Sequence, residues 1–121
     1  MHNEAHTALV RTALQALATV GHTAWQNETG VWFEENGRPH KYGKKGSADI
    51  FCILPIYVQS VGRTFGIHAE FEAKTGTGKQ PKHQKLHQEF VVERNGGIYI
   101  LFRSVDGLLD AIKMAVNSYR I

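Results

Sequence analysis

The chain has a single cysteine, Cys52, so no disulfide can close within it and a zinc finger is excluded. Cys52 lies in the apolar run Ile50–Leu54, where it is expected to act as a small core residue. Long hydrophobic runs are also missing: none reaches the length needed to cross a bilayer. The opening residues, MHNEAHTALV, carry Glu4 and lack the apolar centre of a signal peptide, so a cytosolic protein is expected. Proline is scarce, with three residues, and no linker, repeat or low-complexity segment divides the chain. Neither sign of charge dominates. The formal net charge of +3 permits a polyanionic partner without requiring one.

What is present suits one domain, 1–121, with a modest core: 42% of the residues are hydrophobic. A first helix is expected from Asn3 as cap, with Leu9, Ala13, Leu17 and Val20 as its apolar stripe and Gly21 as its stop. Thr23–Gln26 and Val31–Glu35 are short strand candidates, separated by the turn-like Asn27–Gly30. Asn36-Gly37 is a hairpin signal leading into Arg38–Tyr42. Past the basic loop Gly43–Ser47 comes the strand Ala48–Val58, whose run Ile50–Leu54 is expected to be buried on both faces; Pro55 limits its pairing.

The strand Thr64–Lys74 alternates: Ile67, Ala69, Phe71 and Ala73 on one face, His68, Glu70, Glu72 and Lys74 on the other. A helix then starts at Pro81, with His83, Leu86, His87, Phe90 and Val91 on one face, and stops at Asn95-Gly96-Gly97. Ile98–Phe102 forms a buried strand and Ser104 caps a last helix. The order is α, several β, α, β, α.

Two motifs are set aside. Gly76-Thr77-Gly78-Lys79 echoes a phosphate loop, but Ala73 stands at the upstream glycine position and Gln80 where a Ser or Thr would hold magnesium. No nucleotide cofactor is expected. His83 and His87 have the i, i+4 spacing of a zinc-protease helix, yet Gln84 replaces the general-base Glu and cannot take a proton. Two half-buried histidines beside Leu86 are expected instead.

The remaining constellation is Asp49, Glu72 and Lys74, with Glu70 alongside. The two strands that carry them are joined by a short connection, so hairpin pairing would bring Asp49 near Glu72. Two convergent carboxylates suit Mg2+ or Mn2+, and an ion there can neutralise a phosphodiester and acidify water. Lys74, on the same face as Glu72, can orient that water and offset phosphate charge. The competing reading is a charged surface hairpin with Glu70 and Glu72 paired to lysine.

Gly46-Ser47-Ala48-Asp49-Ile50, then Glu72-Ala73-Lys74, a basic Gly loop and Gln84 on the following helix resemble the virus-type replication-repair nuclease (VRR-NUC) domain, a branch of the PD-(D/E)XK nuclease superfamily. The resemblance runs along nearly the whole chain and takes in Glu4 on the first helix, Asn27–Gly30, and Arg103-Ser104-Val105-Asp106 near the end; Ala48 stands where proline commonly precedes the acid. It implies an α/β fold with an αβββαβα core, a mixed central sheet flanked by helices, and metal-dependent hydrolysis of DNA. It implies Asp49, Glu72 and the Ala73 carbonyl as metal ligands, Lys74 as the catalytic lysine, Gln84 as the helix residue supporting the site, and Glu4 as a further acid reaching it. For Glu4 the competing role is a favourable charge in the first turn of a helix.

Lys41, Lys44 and Lys45 precede Asp49, and Lys79, Lys82 and Lys85 follow Lys74, so two basic clusters flank the expected site; with His83 they are the expected contacts to DNA phosphates. Stand-alone members of the family imply a homodimer acting on branched DNA such as four-way junctions, in the cytoplasm of a bacterial or phage-infected cell and in DNA repair. Trp25, Trp32 and Phe33, in the early hairpin, are candidate interface rings; otherwise they complete the core. A restriction-type or nicking endonuclease, and a non-catalytic DNA-binding module, are the alternatives.

Overall fold

The computed structural model describes residues 4–119. Asn3, the expected cap of the first helix, lies outside the described residues. The elements run α1 (Glu4–Thr19), β1 (Thr23–Gln26), β2 (Gly30–Phe33), β3 (Pro39–Tyr42), β4 (Ile50–Val58), β5 (Arg63–Ala73), α2 (Lys82–His87), β6 (Ile98–Phe102) and α3 (Val105–Asn117), with a π-helical turn, Gln88–Glu93, directly after α2. Four strands form one mixed sheet in the order β1-β4-β5-β6: β4 is antiparallel to both β1 and β5, and β6 is parallel to β5. The described residues thus form a mixed α/β fold with three α-helices. β2 and β3 pair only with each other, as a separate hairpin inserted between β1 and β4.

The core follows from strand alternation. Ile50, Cys52, Leu54 and Ile56 of β4 turn to the same side as Ala69 and Phe71 of β5. Val10, Ala13 and Leu17 of α1 close over them together with Leu108 and Ile112 of α3. The expectation that Ile50–Leu54 is buried on both faces is corrected: Ile53 is 46% exposed and Phe51 half-buried. Among the described residues that side of β4 stays partly open to solvent, so only one face is dry. Pro55 sits opposite Gly66 of β5, beyond the last residue that β1 pairs, so its missing N–H leaves no gap in the ladder.

β5 behaves differently along its length. Residues 63–68 pair with β4 alone and are largely exposed, whereas 69–71 lie between β4 and β6, 72–73 pair with β6, and all five are buried. On the second face of that inner half, α2 and the π-helical turn form a small layer with Ala48, Val92 and Tyr99. Glu70 and Glu72 are therefore buried, at 2% and 3% exposure. The helix expected from Pro81 to the stop at Asn95-Gly96-Gly97 is observed as α2 running without a break into the π-helical turn Gln88–Glu93. The expected cap of α3 is observed: Ser104 Oγ accepts from the Gly107 N–H at 3.0 Å. Among the described residues, no helix is long and apolar enough to cross a membrane.

Candidate active site

The β4–β5 register puts Ile50 opposite Phe71, so the next pair outward is Asp49 and Glu72. The two carboxylates are fixed reciprocally. Glu72 Oε1 accepts the Asp49 main-chain N–H at 3.1 Å, and Asp49 Oδ2 accepts the Ala73 N–H at 2.9 Å. The other oxygen of Glu72, Oε2, faces Lys74 Nζ at 3.1 Å and accepts from Gln84 Nε2 at 2.7 Å. Sequence spacing could place Glu72 and Lys74 together; the approach of Gln84 depends on how α2 is set onto the sheet.

This environment acts on the protonation of Glu72. Burial, and next the Asp49 carboxylate beside it, push its pKa from an ordinary 4.5 up to about 7, against the opposing pull of Lys74. Even with Lys74 beside it, Glu72 is therefore held toward its protonated form, and a cation at the pair would favour its charged form. The pair borders a cavity of about 470 Å³ at the end of the sheet, whose walls include His6, Arg11, Asn27, Tyr42 and Gln84.

Two neighbours of Asp49 were not anticipated. His6 on α1 places Nε2 3.1 Å from Asp49 Oδ2. Glu4, the acid expected to reach the site from this helix, is instead exposed in its first turn. Asn27 donates its main-chain N–H to the Asp49 carbonyl at 2.7 Å and its amide to Ser47 Oγ and the Ala48 carbonyl. The turn-like segment Asn27–Gly30 was legible in the sequence, but not that its first residue would brace the loop before Asp49. That loop also needs Gly46: its φ is +90°, and a Cβ there would lie 2.6 Å from the His83 carbonyl oxygen.

Glu70 does not pair with lysine as expected. It contacts His68 Nε2 at 2.7 Å and His87 Nε2 at 2.8 Å, and accepts the Ala48 N–H at 3.1 Å. Nor are the two helix histidines alike: His87 is buried and His83 exposed, with Leu86 exposed beside it. The i, i+4 pattern reflects helix geometry, but the sheet lies under only one of the two rings.

Lys41, Lys44, Lys45, Lys79, Lys82 and Lys85 are all exposed. Lys44, Lys45 and His83 border a second groove of about 350 Å³ floored by Leu86 and Phe90. Neither Asp49 nor Glu72 is among the residues that line it. The Gly76–Gly78 loop turns carbonyl oxygens toward Arg103, whose Nη1 and Nη2 donate to Gly76 and Gly78 at 3.1 and 2.6 Å. A phosphate cradle would instead present N–H groups. Trp32 and Phe33 are 52% and 66% exposed on the β2–β3 hairpin, with Trp32 stacked on His40; Trp25, expected in the same hairpin, lies on β1 in the main sheet.

Among the described residues, no three His, Cys, Asp or Glu side chains are arranged as a metal cage. No family model matches the chain, and no curated protein matches it.

Proposed function

We propose that this chain is a divalent-metal-dependent DNA endonuclease of the PD-(D/E)XK type, in its VRR-NUC form. The observation that carries the reading is the cluster on Glu72: a buried carboxylate opposite Asp49, with Lys74 and Gln84 meeting on its outer oxygen. The strand order supports it, since setting aside the inserted hairpin leaves helix, three strands, helix, strand, helix.

The donors fit a hard cation. Mg2+ keeps much of its water and is commonly held by one or two carboxylates, so Asp49 and Glu72 with the Ala73 carbonyl would be sufficient without a cage of protein ligands. Burial first and the Asp49 charge second hold Glu72 toward its protonated form, and a cation at the pair would oppose both. Gln84 Oε1 is buried without a partner among the described residues, and water carried by an ion would satisfy it. Bound there, Mg2+ or Mn2+ would supply Lewis acidity toward the phosphodiester and toward water. The residues do the rest. Asp49 and Glu72 set where the scissile phosphate sits, Lys74 offsets the charge that develops on it and orients the attacking water, and Gln84 keeps Glu72 turned outward. The exposed lysines on either side neutralise phosphates without reading bases, which suits selection by DNA shape.

Branched DNA, including four-way junctions, is the proposed substrate, and a two-fold homodimer the proposed form, because paired symmetric cuts need two sites. The exposed Val31, Trp32, Phe33 and Tyr42 of the β2–β3 hairpin offer an apolar surface for a second copy. The deciding experiment incubates the protein with junction, flap and linear DNAs in Mg2+, in Mn2+ and in chelator. Metal-dependent cleavage that favours the branched substrates is the expected result. Undiminished cleavage in excess chelator would overturn the metal role, and cleavage of none of the DNAs in either metal would overturn the activity.

A further inference from the structure

Glu70 and His87 take no part in the chemistry above, yet both are buried. A carboxylate at 2% exposure is costly unless its oxygens are met, and a buried ion pair is seldom a better stabiliser than apolar packing. What it supplies is direction. Glu70 Oε1 accepts the Ala48 N–H at 3.1 Å and faces His87 Nε2 at 2.8 Å, while Oε2 faces His68. The other ring nitrogen of His87, Nδ1, has no partner among the described residues, so Glu70 is the polar anchor of that side chain.

The two contacts on Oε1 each lead toward a residue of the proposed site. Ala48 immediately precedes Asp49. His87 lies three residues after Gln84 on α2, on a neighbouring part of the same helix face. Glu70 itself is two residues before Glu72, on the same side of β5. One carboxylate therefore ties together the three elements that carry Asp49, Glu72 and Gln84. α2 runs directly into the π-helical turn Gln88–Glu93, and Gln84 lies near the N-terminal end of this segment, where the His87–Glu70 contact ties it to β5.

We infer that Glu70 and His87 are positioning residues, which lock β4 and α2 against β5 so that Gln84 reaches Glu72. The inference takes its catalytic meaning from the nuclease reading, but its geometric content can be tested without it. In isotopically labelled, metal-free protein, NMR reads the Gln84 side-chain amide directly. In the native chain its resonances are displaced from those of a solvated Gln and exchange slowly with water. In His87→Leu they move to solvated positions and exchange at least about tenfold faster, as loss of a protecting hydrogen bond requires. His87→Gln, which keeps a nitrogen donor within reach of Glu70, holds them near native positions. Should His87→Leu fail to fold, Glu70→Met carries the test: it removes the oxygen that takes the Ala48 N–H and faces His87 Nε2, so the anchor is lost and the Gln84 resonances move.

Cleavage supplies the second arm. His87→Leu lowers kcat roughly 10- to 100-fold, as loss of an outer support does, with KM changed by less than about twofold. Combining it with Gln84→Ala lowers kcat no further than the worse single change. Unmoved Gln84 resonances in every folded variant, or kcat losses that multiply in the double variant, overturn the positioning role. Displaced resonances in a protein that cuts no DNA would uphold the positioning and remove the nuclease reading.

Discussion

Lys74 and Gln84 meet on a single atom: Nζ of one and Nε2 of the other lie 3.1 and 2.7 Å from Glu72 Oε2. One comes from the strand itself and the other from the helix beyond the loop, so the same oxygen is charged by its own strand and steered by a separate element. The two contacts are expected to fail differently. Lys74→Met should lose turnover while the protein still binds Mn2+, because the lysine supplies charge and orientation rather than coordination. Calorimetric titration of Mn2+ into the folded variant checks this, and loss of ion binding would reassign Lys74.

Asp49→Ala or Glu72→Ala should abolish metal-dependent cleavage and leave the fold intact. Each should also raise the melting temperature of the metal-free protein, since removing one of two crowded acids relieves repulsion and a desolvation penalty. Circular dichroism melts beside a cleavage assay would show both. Variants that melt lower than the native chain would contradict the account of an electrostatically frustrated pair.

The raised pKa of Glu72 gives a pH dependence of definite sign. Unfolded, the carboxyl ionises near 4.5; folded, near 7. Between these values the native state keeps a proton that the unfolded chain has released. Metal-free stability therefore falls as pH rises through this window, by on the order of 3 kcal/mol at most from this group. Denaturant melts of the native chain and Glu72→Gln at pH 5 and pH 8 isolate the term, with the variant expected to show the smaller drop. Ion binding should run the other way, strengthening as pH rises toward 7 and levelling off above it, because a proton competes for the same oxygens.

Assembly can be read separately from chemistry. Light scattering at micromolar concentration should report a dimer, and Trp32→Glu with Phe33→Glu should return a monomer that keeps the native melting curve, since these rings lie outside the core. The dimer should prefer junctions to a matched duplex and lose affinity steeply with added salt. A native monomer that cuts both DNAs equally would remove the junction-resolving role and leave the hydrolysis untouched.

The sequence made the frame of this fold legible wherever a local rule was strong. Alternation on β5 and the apolar run of β4 placed Asp49 opposite Glu72, Ser104 capped α3 as its side chain predicts, and Asn36-Gly37 turned the hairpin. Relationships between distant elements were not legible. That Ile53 would face solvent depended on that side of β4 staying partly open, and that His87 would be buried while His83 was not depended on the setting of α2. His6 contacts Asp49 across 43 positions of sequence, and no motif links them. Glu70 was placed on the correct face but given a surface partner, because alternation tells which side a residue takes and not how deeply that side is covered.

Cys52 gives the molecule a built-in clock. It is the chain's only thiol, wholly enclosed between the sheet and its helices, with its pKa pushed up to about 11 by burial. A reagent that captures thiolates at neutral pH has almost nothing to react with until the core parts. The labelling rate of one sulfur thus counts openings of the whole domain, and when reclosing is fast it scales with their free energy. Ion, DNA or a second copy that steadies the folded state would each register as a slower tick, with no need for a signal from the site itself.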